Sequence, residues 1–271
     1  MKTRIALISL AAAGIVFGQT PAFDGTSVVN ASSFQTPVAP GSLVSIFGTN
    51  LATSMASSAT IPLSNTLGGV TVQFVQGTNT YTAPLQFTFP GNSSAASQLN
   101  IQVPWELVPG GPAVSAIVTL NGNSSNPEPV AIGPQGPGVF SSNGLAIATN
   151  NSDGTLVWAA GTVPGTTTHA ATAGDVVIIY ATGLGAVDTP IPDGQAPAFL
   201  DNTLRNTIAT PTVLVGGVQA QLVYSVLSPQ FVGIDQLAII IPTGVKPGSS
   251  VPLQIQAGGI TSPTSAAIAV Q

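Results

Sequence analysis

The sequence predicts an all-β chain built from two similar β-sandwich domains in tandem. Three observations carry that reading: an ordered internal repetition, a residue alternation with the period of a strand, and Gly or Pro punctuation roughly every 8–15 residues. Of 271 residues, 30 are Gly and 23 Pro, 44% are hydrophobic, and only four are Lys or Arg and nine Asp or Glu. So little charge with so much apolar content argues against disorder, which needs the opposite balance.

Taken in chain order, the first element is an export leader. Lys2 and Arg4 form a positive start, an apolar run follows to Phe17, and Val16 and Gly18 supply small residues for cleavage after Gly18. The run is too short for a transmembrane helix, and Gly, Pro or polar residues interrupt every later apolar stretch. Residues 1–18 therefore read as a signal peptide and the remainder as an exported chain, extracellular, at the cell surface or periplasmic. Export without any cysteine is compatible with two domains large enough to bury a core unaided.

The repetition sets the rest of the organisation. Residues 40–51 (PGSLVSIFGTNL) return as 173–184 (AGDVVIIYATGL), and 98–104 (QLNIQVP) return as 236–242 (QLAIIIP). Val108-Pro109-Gly110 then matches Lys246-Pro247-Gly248, so three matches keep their order at offsets of 133 to 138 residues. The boundaries read from this are 25–133 and 138–271, joined by the Gly/Pro-rich stretch 133–138. In the first domain Leu99, Ile101 and Val103 alternate with Asn100 and Gln102, the pattern of a half-buried strand. Val114, Ala116, Val118 and Leu120 repeat it and run into Asn121-Gly122, a two-residue hairpin signal. About seven short strands in each domain fit an immunoglobulin-like sandwich without the Cys–Trp–Cys core of antibody domains.

Residues 29–34 (VNASSF), 38–48 (VAPGSLVSIFG), 100–107 (NIQVPWEL) and 180–185 (YATGLG) extend the picture. With these motifs the chain resembles a secreted family common in acidobacterial proteins, where it often forms the C-terminal region. The resemblance implies tandem sandwich units related to IPT/TIG immunoglobulin-like domains, outside the cytoplasm, with no functional residues to carry over.

The chemistry is sparse. Without cysteine, thiolate and disulfide chemistry are excluded, and four basic residues cannot neutralise a nucleic-acid backbone. His169, the single histidine, lies in a polar loop, and no G-x-S-x-G elbow exposes a nucleophile. Glu106 and Glu128 sit in turns rather than as a facing pair of carboxyls. Asn151, Asp153 and Gly154 imitate part of a calcium loop, but Thr149 and Ala160 stand where its first and closing ligands belong, so a turn is expected and no metal or cofactor. The reading is thus a non-enzyme: an exported module for adhesion, cell-surface structure or protein–protein contact.

A carbohydrate-binding module is the alternative. Trp105, Trp158 and Tyr81 are the candidate sugar platforms, with Trp158 the one expected to be exposed, beside the polar loop 161–172. Asp188, Asp193 and Asp201 form an acidic cluster in a Pro-rich loop that could converge on a cation or ligand. One contrast between the repeats points to an interaction face. Where the first domain carries Ser45 and Gln102 on the second face of its strands, the second carries Ile178 and Ile240. Each isoleucine left wet forgoes about 1.5–3 kcal/mol of burial. Cover is therefore expected from the 156–172 loop, the first domain, another subunit or a protein partner.

Overall fold

The computed structural model describes residues 20–198 and 203–271, and among these every regular element is a β-strand. The proposed leader lies outside the described residues, as does Asp201. The strand expectations are met for most residues, Gln102 being buried where a polar face was expected. Val70–Gln76 and Val114–Leu120 both alternate strictly between buried and half-buried positions. Asn121 and Gly122 take positive φ angles of 49° and 86° and close a hairpin in which Leu120 faces Asn123.

The first half of the chain forms two five-stranded antiparallel sheets. One runs in the order Ala22–Asn30, Leu43–Thr49, Ser97–Gln102, Leu85–Phe89, Ala56–Ser57. The other runs Glu128–Val130, Val114–Leu120, Val70–Gln76, Asn79–Ala83, with Asn123–Ser124 beside Val114–Leu120. Val44, Ile46, Leu99 and Ile101 from the first sheet meet Val70, Val72, Phe74 and Val118 from the second, all fully buried in one core. This is the sandwich that inward-facing alternation requires.

The second half departs from it. Its strands join into one 11-stranded sheet around a second core that includes Val177, Ile179, Leu237, Ile239, Leu253 and Ile255. Long strands serve two neighbours each and carry the sheet around the corner. Val218–Leu227 pairs with Thr212–Val215 through its first residues and with Asp235–Ile240 through the rest. Gly248–Ala257 divides itself in the same way between Ala267–Val270 and Thr212–Val215. Register shifts at Leu222/Tyr224 and Gly248/Val251 supply the bends, since an extra residue tightens the local twist and re-aims the strand. The expectation of two separate sheets is corrected here. Alternation reports which residues face the core, not where a strand changes partners.

The repeat itself has a structural counterpart. Leu43–Thr49 pairs antiparallel with Ser97–Gln102, Ile46 facing Leu99, and Val176–Thr182 pairs with Asp235–Ile240, Ile179 facing Leu237. These are the matched positions of the two motifs, in the same register. Between the halves, the 133–138 segment is pinned on both sides. Gly133 donates to the Val38 carbonyl at 3.0 Å and Gly136 to the Gly183 carbonyl at 2.9 Å. A side chain on Gly183, whose φ is +93°, would collide with the Gly136 carbonyl.

Candidate functional site

Asn30 and Thr182, two of the residues that hold the halves together, carry no functional reading in the sequence. Asn30, 1% exposed, ends the first strand and accepts from the backbone N–H groups of Ser32 and Ser33 through Oδ1. Its Nδ2 donates across the junction to the Gly136 carbonyl at 2.8 Å and to the Thr182 carbonyl at 3.2 Å. Thr182 in turn donates its hydroxyl to Gly233 and accepts the Leu43 N–H at 2.9 Å. The same local turn recurs at Asn150, which accepts from the Ser152 N–H and hydroxyl. The signal available in sequence was the repeated Asn-x-Ser, which also suits many loops.

The contrast between the repeats inverts what the residue types suggested. Polar Gln102 is the buried member: Nε2 donates to the Gly41 carbonyl, and Oε1 accepts the Gly194 N–H at 2.7 Å from the other half. Ser45 is also buried, and donates to Asn100 Oδ1 at 3.0 Å. Ile178 and Ile240, expected to be covered, stay half-buried on an outer face shared with Val176 and Tyr180.

That outer face leads to a cleft of about 310 Å³ lined by Phe140, Ile147, Tyr180, Phe231 and Ile234. Phe231 is 52% exposed and meets Tyr180 edge to face, with ring centroids 6.5 Å apart. Burial, followed by the neighbouring Tyr224, pushes the Tyr180 phenol up. On its other side Phe231 borders a groove of about 470 Å³ shared with Ile61, Leu63 and Gln86 of the first half. Phe47 occupies in the first repeat the position of Tyr180, and it too has an aromatic neighbour, Phe34, at 6.2 Å.

Trp158 is corrected from exposed platform to core residue. It is 7% exposed and its indole N–H donates to the Ala146 carbonyl at 2.7 Å, the usual way a buried tryptophan satisfies its polar edge. Proximity to a polar loop in sequence did not decide which way the ring points. Trp105 packs beside Val187, Ile191 and Leu227, and Tyr81 packs against the first core.

Of the acidic cluster Asp201 lies outside the described residues, and Asp188 and Asp193 turn to different partners. Asp188 is exposed and holds the Asn206 backbone N–H and side-chain amide at 3.0 and 2.8 Å. The Asn206 side chain, the largest influence, draws its carboxyl down. Asp193 turns inward and accepts the Trp105 backbone N–H at 3.0 Å. Among the described residues no three His, Asp or Glu side chains gather as a metal site would require. Asp153 spends one oxygen on the Thr155 N–H and hydroxyl and the other on His169 Nε2 at 2.9 Å. Those Thr155 bonds, then His169, hold Asp153 at about 2. The Ala170 carbonyl first, then Asp153, raises His169. Both partners of this pair are more than a third exposed. It is a loop clasp, and no nucleophile is among the ring's hydrogen-bond partners.

No family model and no curated protein matches the chain. Among solved structures it is similar to the I9-I11 tandem from titin at 10% identity, covering 86% of this chain and 94% of that one, with a TM-score of 0.17. The class that the chain's own geometry defines is an all-β protein, a two-sheet sandwich in its first half and one 11-stranded sheet in its second, without a catalytic constellation among its described residues. No helix among them is long and apolar enough to cross a membrane.

Proposed function

We propose that the chain is a non-catalytic module for protein–protein contact, and that the outer face of the 11-stranded sheet in its second half is the contact surface. The carrying observation is the cleft around Phe231 and Tyr180, an apolar recess with an exposed aromatic ring at its rim. Half-wet Ile178 and Ile240 extend the same face, and apolar area of this kind is what association removes from water. The carbohydrate alternative loses its main platform with the burial of Trp158. The simplest occupant is the same face of a second copy, because an isologous pairing covers both clefts at once.

Sedimentation velocity over a range of concentrations tests this. The expected result is a dimer that weakens in Phe231→Ser while the fold is retained. A monomer at every concentration that instead gives signals on a glycan array would overturn the reading in favour of the carbohydrate module. Export belongs to the same proposal and rests on the leader-like residues 1–18. N-terminal sequencing of protein recovered outside the cytoplasm should begin at Gln19.

A further inference from the structure

One strand edge of the first half stays open. At one side of the sandwich the outer strands of the two sheets close on each other, with Gly25 so near the Pro129 carbonyl that a Cβ would collide with it. At the far side of the first sheet, Leu85–Phe89 is lined by Ala56–Ser57. There the Ser58 N–H also donates to the Gln86 carbonyl, and the Leu85 N–H to the Ser64 carbonyl. In the second half, residues 138–142 pair at their start with Val176–Thr182 and at their end with Leu145–Ala146, so both ends of the 11-strand order lie in one segment. Asn79–Ala83 differs. It pairs with Val70–Gln76 on one side; among the described residues no strand lies on the other, and no turn or loop bond reaches Thr80 or Thr82.

The free groups of this edge follow from its hairpin. Gly77, with φ +61°, and Thr78 form a two-residue loop, so the flanking Gln76 and Asn79 exchange both backbone bonds. The alternation then gives Tyr81 and Ala83 to the ladder and leaves the N–H and C=O of Thr80 and Thr82 pointing outward. Such an edge is normally blunted by Lys, Pro or a bulge. Asn79–Ala83 has none of these: it pairs without a register shift, and neither it nor Val70–Gln76 nor Val114–Leu120 carries a charge. Two copies of a chain of net charge −5 can therefore meet at this edge with no like charges opposed.

We propose that Asn79–Ala83 is a docking strand for the same strand of a second copy, paired antiparallel about Tyr81. That register uses the whole strand and sets Thr80 opposite Thr82 of the second copy, twice over, in pairs that exchange both backbone bonds. It also keeps Pro84, which has no N–H, outside the ladder. Tyr81 falls opposite its own copy in the closer, non-hydrogen-bonded pair, where its half-buried ring gains cover. The contact is small, of the weak class, and independent of the Phe231 face. Where both contacts form, copies link into open chains, because each molecule then has two separate self-complementary surfaces.

Cysteine cross-linking in a Phe231→Ser background tests this, since the chain has no cysteine of its own and the other face is taken out. Tyr81→Cys is expected to give a covalent dimer under mild oxidant, because Cα atoms across such a pair lie about 4.5 Å apart. Thr80→Cys is more exposed but stands diagonal to its own copy, about 7–8 Å away, and is expected to react about tenfold more slowly. Adding Thr82→Pro removes only an outward donor and should slow the Tyr81→Cys reaction about tenfold. Should Thr82→Pro fail to fold, Thr80→Lys with Thr82→Lys replaces it, and mixing with Thr80→Glu plus Thr82→Glu should restore the dimer. Equal or faster cross-linking at Thr80→Cys marks random collision and overturns the docking strand. So does a Tyr81→Cys reaction absent at every concentration, or one that neither Thr82→Pro nor the lysine pair slows. Failure of the Phe231 contact leaves these outcomes unchanged, because Phe231 is already replaced.

Discussion

The Leu184 N–H donates to Asp235 Oδ2 at 3.0 Å, and in the other repeat the Leu51 N–H donates to Ser97 Oγ at 3.1 Å. Leu184 and Leu51 are matched positions of the repeat, as are Asp235 and Ser97. One backbone bond is thus made twice, once by a neutral hydroxyl and once by a carboxyl that is 4% exposed. Burial, only partly offset by the Leu184 and Gly183 N–H groups, pushes the Asp235 carboxyl up to about 7.

Stability should therefore fall as pH rises. The folded chain holds the Asp235 proton more tightly than the unfolded chain, so its contribution is greatest below the ordinary aspartate value of 3.8, declines toward about 7 and is constant beyond. Thermal melts at a series of pH values should show Tm dropping across that window. Asp235→Ser, which copies the first repeat, should flatten most of the slope. A Tm that rises through the window would contradict the assignment.

Replacing Asn30 should loosen the junction. Asn30→Ala leaves the Gly136 and Thr182 carbonyls without their donor and removes the acceptor for two turn amides. The expected loss is about 2–3 kcal/mol in urea unfolding. Asn30→Asp should cost more, since it puts an acceptor where two carbonyls need a donor.

Trp158→Phe should destabilise by about 1–3 kcal/mol, because the Ala146 carbonyl loses its indole donor inside the core. Association measured by sedimentation should be unchanged. Loss of binding without loss of stability would restore Trp158 as a surface platform.

Gly183→Ala and Gly165→Ala separate two costs. Both glycines have positive φ, but only Gly183 has a backbone carbonyl where a Cβ would sit; Gly165 has open space. Gly165→Ala should cost about 1 kcal/mol from backbone conformation alone. Gly183→Ala should cost clearly more and should raise amide exchange at Gly136, whose N–H is bonded to the Gly183 carbonyl.

Much of the fold was legible because one-sided burial writes itself into alternation. Leu99 and Ile101 against Asn100 and Gln102 gave the strand and its inner face, and Asn121-Gly122 gave the turn. The repeat gave more: matched residues Ile46 and Ile179 face matched residues Leu99 and Leu237. The junction was not legible. Gln102 looks like a solvent-facing residue until Gly41 and Gly194 occupy its two amide ends, and Asn30 looks like an ordinary turn former. Neither residue's type says that its partners lie more than 50 positions away.

The sequence by itself determined that the chain is all-β and repeated, that it has no thiol, and that it has almost no charge to build a reactive site. These properties are set by composition and short-range period. Only the tertiary structure decided that the second half forms one continuous sheet, that Trp158 points inward and that Phe231 points out. It also decided that the Asp235 carboxyl sits where water cannot solvate it. Each of those outcomes depends on which distant segment arrives at a given face, and local pattern holds no record of that.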